Sequence, residues 1–183
     1  MAVRRIVVTG GECTGKTTLA RDLAARWEPA WAAEAAREVA LGRRVALGPE
    51  DVPVIARTHL HLADEAARAA EDAGRPLVVF DQDLVSTVVY ARHYYGGCPS
   101  WIARLAIARL GDLYLLCHPD LPWAADGVRD RPEARGEIHA LFAEALARAG
   151  ARVAQVKGAG AERTNRAVEA VEDLLASGAA QGS

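Results

Sequence analysis

The sequence predicts a three-layer α/β/α fold built on a mainly parallel, five-stranded sheet. Three observations carry that expectation. Short apolar runs alternate along the chain with helical patterns, as in open sheets joined by right-handed crossovers. Three of the runs are almost continuously hydrophobic, the mark of parallel strands buried on both faces. Between the first run and the first helical pattern lies Gly10-Gly11-Glu12-Cys13-Thr14-Gly15-Lys16-Thr17-Thr18, which matches the phosphate-binding pattern G-x-x-x-x-G-K-[ST].

The first strand is read over Val3 to Thr9, with Ile6-Val7-Val8 at its centre. The loop follows, then a helix over Thr14 to Arg26 whose pattern of Leu19, Leu23 and Trp27 repeats every four residues. Strand, loop and helix in this order let backbone N–H groups converge on a phosphate chain at a positive helix end. Lys16 is then placed to reach the outer phosphates and the Thr17 hydroxyl to hold Mg²⁺. A weaker strand is read at Ala30 to Ala32, and a long Ala-rich helix over Pro49 to Ala73. Next come a strand at Leu77 to Asp81, helices over Leu84 to Tyr95 and Pro99 to Leu110, and a strand at Leu113 to Cys117. A helix over Glu133 to Ala149 presents Ile138, Leu141, Phe142, Leu146 and Ala149 on one face. After a strand at Arg152 to Val156 comes a helix over Glu162 to Ala176, with Gly178 just past its end as a stop. The expected domain is 1–176, with 177–183 a flexible tail of small residues.

Composition excludes several classes. The 183 residues suit one domain with a core covered on both sides, and the net charge of −2 gives no general drive toward nucleic acid or anionic lipid. No signal pattern and no apolar run of membrane-spanning length is present, so the expected location is cytoplasmic. Cys13, Cys98 and Cys117 are odd in number and widely spaced, which indicates neither a disulfide framework nor a zinc site. His59 and His61 fall on different faces of their helix. Cys13 reads as a variable position of the loop or as a redox-sensitive thiol.

Three further stretches bear chemistry. Asp81, at the end of an apolar strand, is where a phosphate-loop enzyme places the acid that serves Mg²⁺. Asp83, on the same side of an extended chain, is read as the acceptor of a substrate hydroxyl proton, with helix capping as the alternative for either acid. The Pro/Gly-punctuated segment from Asp120 to Arg135 leaves the same sheet edge with three arginines, as an arginine-bearing lid would or as a solvated turn would. Arg129 is its leading candidate. Glu34 and Arg37, after the second strand, either project toward an acceptor pocket or form a surface pair at i, i+3.

Taken together these stretches resemble the ribosylnicotinamide kinase domain of NadR-type proteins, a branch of the nucleoside and nucleoside-monophosphate kinase-like P-loop NTPase fold. The resemblance runs from Gly10 to about Val171, with G-G-E-x-x-G-K-[ST] at Gly10 to Thr17, E-x-x-R-E at Glu34 to Glu38, D-x-D at Asp81 to Asp83 and W-x-x-D-G-x-R at Trp123 to Arg129. It implies ATP with Mg²⁺, transfer to the 5′-hydroxyl of a ribonucleoside, and a small-molecule partner in place of nucleic acid or membrane. It also places Asp126 among the substrate-binding residues. The family's D-T-D reads Asp81-Gln82-Asp83, and its two ring-stacking aromatics fall near Ala33 and Leu62. Trp31, Tyr90, Tyr94 or Trp123 is then the stacking face, unless each is core. Arg163, after the last strand, is either a candidate to stack on adenine by fold analogy or a surface arginine. Two other classes stay open: a nucleotide-dependent regulatory module and a polynucleotide 5′-kinase. Oligomeric state is undetermined.

Overall fold

The computed structural model describes residues 3–42, 47–122 and 134–180. Five strands form one sheet: β1 (Arg4–Thr9), β2 (Ala30–Ala32), β3 (Leu77–Asp81), β4 (Leu113–Cys117) and β5 (Val153–Val156). They pair in the order β2-β3-β1-β4-β5, every pair parallel. Seven α-helices connect the strands among the described residues: α1 (Lys16–Trp27), α2 (Ala35–Leu41), α3 (Val52–Asp72), α4 (Leu84–Tyr95), α5 (Ser100–Ala108), α6 (Arg135–Arg148) and α7 (Gly160–Ala180).

Strand alternation sorts the apolar side chains into two layers. Ile6, Val8, Leu77, Val79, Leu113 and Leu115 pack with Leu19 and Leu23 of α1 and Val171 and Leu174 of α7. Val7, Val78, Phe80, Tyr114 and Leu116 point the other way, into Ala56 and Ala63 of α3, Val85 and Val89 of α4, Ile102 of α5 and Phe142 of α6. β3 and β4 are buried along their whole length, as their unbroken hydrophobic runs require. The three-layer α/β/α prediction therefore holds, with all five strands where the sequence places them.

One local expectation is corrected and one element is added. Glu34 takes the N-cap position of a further helix, α2, whose seven residues offer too short an apolar period to be read as a separate element. Gly178 does not stop the last helix, which continues to Ala180. A Cβ at that position would collide with the Arg4 guanidinium, so this glycine admits a side chain from β1. The helix itself passes through unbroken, and residues 177–180 belong to it.

The sheet order also positions the site. β1 is central, and its neighbours β3 and β4 lie on opposite sides. The chain leaving β1 therefore enters the crevice at the carboxyl ends of three strands, where open α/β sheets bind ligands.

Candidate active site

The phosphate loop is shaped by contacts that only certain residues permit. Gly10 has φ +133°, and a Cβ there would lie 2.8 Å from the carbonyl oxygen of Cys117. Glycine alone lets the loop leave β1 against the end of β4. Gly15 (φ +75°) opens α1, and Leu19 N donates to its carbonyl at 3.0 Å. The Thr14 hydroxyl and Lys16 Nζ both donate to Gly11 O, at 2.8 and 2.7 Å. Thr14 is buried, whereas Thr17 and Thr18 face outward at the first turn of α1. The lysine thus folds back over the loop it would serve. Glu12 and Cys13 lie on the same turn, with Cys13 at φ 52°.

Asp81 is the acid beside this loop. It is 6 % exposed, and among the described residues its Oδ1 has no hydrogen-bond partner. Burial raises its pKa to about 6 against the opposing pull of Lys16; Glu34 raises it further, and Arg37 and the nearby Thr17 hydroxyl lower it. Lys16, Thr17, Glu34 and Arg37 are thus near enough to Asp81 to shift its titration. Glu34 begins α2 and keeps only 12 % of its side chain exposed, while Arg37 reaches back to it at 3.7 Å and is 64 % exposed. A buried, unpartnered carboxylate oxygen beside a threonine hydroxyl is the hard-oxygen donor set that Mg²⁺ requires. Asp81 and Thr17 fit that ion.

Asp83 takes other partners. Gln82 adopts φ +71°, which breaks the alternation of an extended strand and turns Asp83 inward. Its Oδ1 accepts from Val85 N at 2.9 Å and Ser86 N at 3.2 Å, capping α4. Its Oδ2 accepts from the Tyr114 hydroxyl. It is 7 % exposed, burial raises its pKa to about 6, and the helix-capping alternative is the contact seen here. Asp81 and Asp83 thus have different surroundings: one carboxylate oxygen of Asp81 is unpartnered among the described residues, while Asp83 accepts from α4 and Tyr114. Gln82 in turn links the corner to the loop: its Nε2 donates to Gly10 O at 3.3 Å, and its Oε1 accepts from Thr9 Oγ1 at 3.1 Å and Ser86 Oγ at 2.5 Å. No sequence pattern announced this network. The only hint was a glutamine where the family carries threonine.

The remaining candidates divide. Arg163, the candidate to stack on adenine, is 5 % exposed, and its guanidinium donates to Asp120, Gly158 O, Thr14 O and His118 O. Trp31, 38 % exposed, sits on the edge strand β2 beside Val79, on the sheet face covered by α1 and α7. Tyr94, 46 % exposed, belongs to α4 on the other face, parallel to Tyr90 at 5.9 Å and edge-on to His93 at 4.8 Å. These two aromatics therefore cannot sandwich one ring. Trp123, Asp126 and Arg129 lie outside the described residues. Arg135, the last arginine of the same stretch, is described: its Nη1 donates to Leu121 O at 3.0 Å and its Nη2 to Cys13 O at 3.1 Å.

A central strand, a glycine-bounded loop with its lysine and threonine, and an acid at the end of the adjacent strand define a nucleotide-binding protein of the P-loop NTPase class. The chain belongs to the AAA domain family, whose model matches residues 5–163. It is similar to the trifunctional NAD biosynthesis/regulator protein NadR of Escherichia coli (strain K12), at 30 % identity over 150 residues covering 79 % of this chain and 36 % of that protein. The Salmonella typhimurium protein of the same name is 29 % identical over 180 residues, covering 94 % and 43 %. The chain thus spans less than half the length of these curated relatives. Among solved structures, NadR in complex with NAD and AMP-PNP superposes with a TM-score of 0.80 at 23 % identity, over 96 % of this chain and 50 % of that one. NadR in complex with NR gives 0.79 at 23 %, over 95 % and 51 %. Thymidylate kinase from Ehrlichia chaffeensis gives 0.67 at 14 %, over 95 % and all of that chain. The fold is the one these proteins share.

Proposed function

We propose that this chain is an ATP-dependent kinase that phosphorylates the 5′-hydroxyl of a nucleoside, with ribosylnicotinamide as acceptor and nicotinamide mononucleotide as product. The observation that carries the reading is the glycine-bounded phosphate loop with Lys16 folded over it, leaving β1 beside the buried, partly unpartnered carboxyl of Asp81 at the end of β3. Support comes from the similarity to NadR, whose name includes NAD biosynthesis and whose structures hold AMP-PNP or NR.

Phosphoryl transfer asks the protein mainly to position reactants and to balance charge. Backbone N–H groups from Gly11 to Thr18 cradle the triphosphate, and Lys16 exchanges its bond to Gly11 O for the outer phosphates. Asp81 and Thr17 would hold Mg²⁺, which supplies neutralisation of the phosphate charge. Glu34, held by Arg37, orients the acceptor hydroxyl in the place first read for Asp83, which in this structure caps α4. Arg129 remains the proposed lid arginine and Tyr94 the proposed stacking face, with Trp123 and Asp126 beside the acceptor. Asp83 and Gln82 act from behind by fixing the corner that aims Asp81.

The test is product analysis. With ATP, Mg²⁺ and ribosylnicotinamide, the full chain should yield nicotinamide mononucleotide and ADP in equal amounts by mass spectrometry. ADP formation with no phosphorylated nucleoside would overturn the kinase assignment; phosphorylation of another nucleoside in its place would overturn the acceptor.

A further inference from the structure

We propose that Arg135 and Arg163 are positioning residues for nucleotide binding: they hold two consecutive carbonyls of the phosphate loop outward, so that the loop's N–H groups stay turned inward. This inference deepens the nucleotide-binding part of the functional reading and rests on it. It does not depend on which acceptor is used.

The argument begins with peptide geometry. A loop whose N–H groups converge on an anion must send its carbonyls the other way, into the protein, where each needs a donor. The structure supplies them one by one. Gln82 donates to Gly10 O at 3.3 Å, Lys16 and Thr14 to Gly11 O at 2.7 and 2.8 Å, and Leu19 N to Gly15 O at 3.0 Å. Between them, Arg135 Nη2 donates to Cys13 O at 3.1 Å and Arg163 Nη2 to Thr14 O at 2.6 Å. Cys13 has φ 52°, a conformation that side chains with a Cβ adopt reluctantly, so the turn at this residue needs support from outside.

The two guanidinia come from different elements and are anchored differently. Arg163, near the start of α7, fixes itself to the sheet by Nη1 bonds to Asp120 Oδ1 (2.7 Å) and Gly158 O (2.9 Å) and an Nη2 bond to His118 O (3.0 Å). Only a planar fork can serve so many acceptors at once. Arg135, the first residue of α6, is anchored by Leu121 O at 3.0 Å. Lys16 also holds a loop carbonyl, but it must release Gly11 O to reach a phosphate. The lysine is therefore the cation that moves to the ligand, and the two arginines are the cations that stay behind the loop.

The experiment measures ADP·Mg²⁺ affinity of the full-length chain by titration calorimetry. Arg135→Met should weaken ADP binding about tenfold and Arg163→Met roughly ten- to a hundredfold, the range for losing a charge-assisted hydrogen bond. Arg135→Lys, which restores one donor, should recover to within about threefold of the native chain. The double variant should lose less than the product of the single losses, because both arginines act on one turn. A merely structural role would lower the thermal midpoint and leave the affinity of the folded protein unchanged. ADP affinity within twofold of native in both Met variants, with native circular dichroism, would overturn the inference. If Arg163→Met does not fold, the Arg135→Met and Arg135→Lys pair decides alone. Failure of the native chain to bind any ADP would overturn the functional reading and this inference with it, whereas native binding with unchanged variants overturns the inference only.

Discussion

At Asp81 two demands oppose each other: the strand end buries the carboxyl, and the site needs it charged. Burial raises its pKa from 3.8 to about 6. For an acid raised in the folded state, the favourable contribution is fully present below the unfolded value and is lost as pH climbs through the folded one. Asp81→Asn in the nucleotide-free protein should therefore be more stable than the native chain at pH 8, by at most about 3 kcal/mol for a shift of this size. The gap should close between pH 6 and pH 4. Denaturant melts of both proteins across that range check it. His59, 7 % exposed against Phe80, has its pKa lowered to about 4 mainly by burial and acts with the opposite sign, losing stability as pH falls from 6.5 toward 4. Only the difference between variant and native therefore isolates Asp81. Lys16→Ala removes the cation nearest the phosphates and should lower phosphoryl transfer at least about a hundredfold. Its circular dichroism should stay native, because its one described hydrogen bond is to the loop itself.

The corner between β3 and α4 is where sequence reading and structure part. Two acids at i and i+2 after an apolar strand read as neighbours on one side, and only the backbone reveals that Gln82 turns between them. Capping was open for either acid, but positive φ at a non-glycine residue leaves no compositional mark, so which of the two caps α4 was not legible. The cap has a measurable consequence. Asp83→Ala should cost about 1–2 kcal/mol for the lost cap, and more for the Tyr114 hydroxyl left without its acceptor. Asp83→Asn should cost less, since asparagine caps well. Under the capping role, kcat of Asp83→Asn with saturating substrates stays within about tenfold of native, and a loss of a hundredfold or more would restore the catalytic assignment. Glu34→Gln should instead raise the acceptor KM and leave ADP affinity unchanged, as steady-state kinetics and calorimetry together would report. The phosphate loop, by contrast, was legible as a pattern, because its glycines answer backbone demands: at Gly10 a Cβ would lie 2.8 Å from the Cys117 carbonyl oxygen.

Across the whole molecule, periodicity carried the reading. Continuous hydrophobic runs announced β3 and β4, helical spacing announced α3, α6 and α7, and their alternation gave the parallel sheet. What stayed hidden were features set by tertiary contact: the short α2, the glycine of α7 that makes room for Arg4, and the burial of Arg163 beneath the loop. The aromatic question is likewise one of global geometry. Trp31 and Tyr94 lie on opposite faces of the sheet, so an acceptor ring has at most one of them for a partner. The sheet order also brings elements far apart in sequence to one crevice, where the loop leaving β1 meets the acid at the end of β3 and the end of β4. The central claim is that this crevice passes a phosphoryl group from ATP to a nucleoside. It is tested most directly by ADP release from ATP·Mg²⁺, alone and with a panel of nucleosides that includes ribosylnicotinamide. The account predicts slow release alone and strong stimulation by ribosylnicotinamide. Binding of ATP with no stimulation by any nucleoside would contradict it.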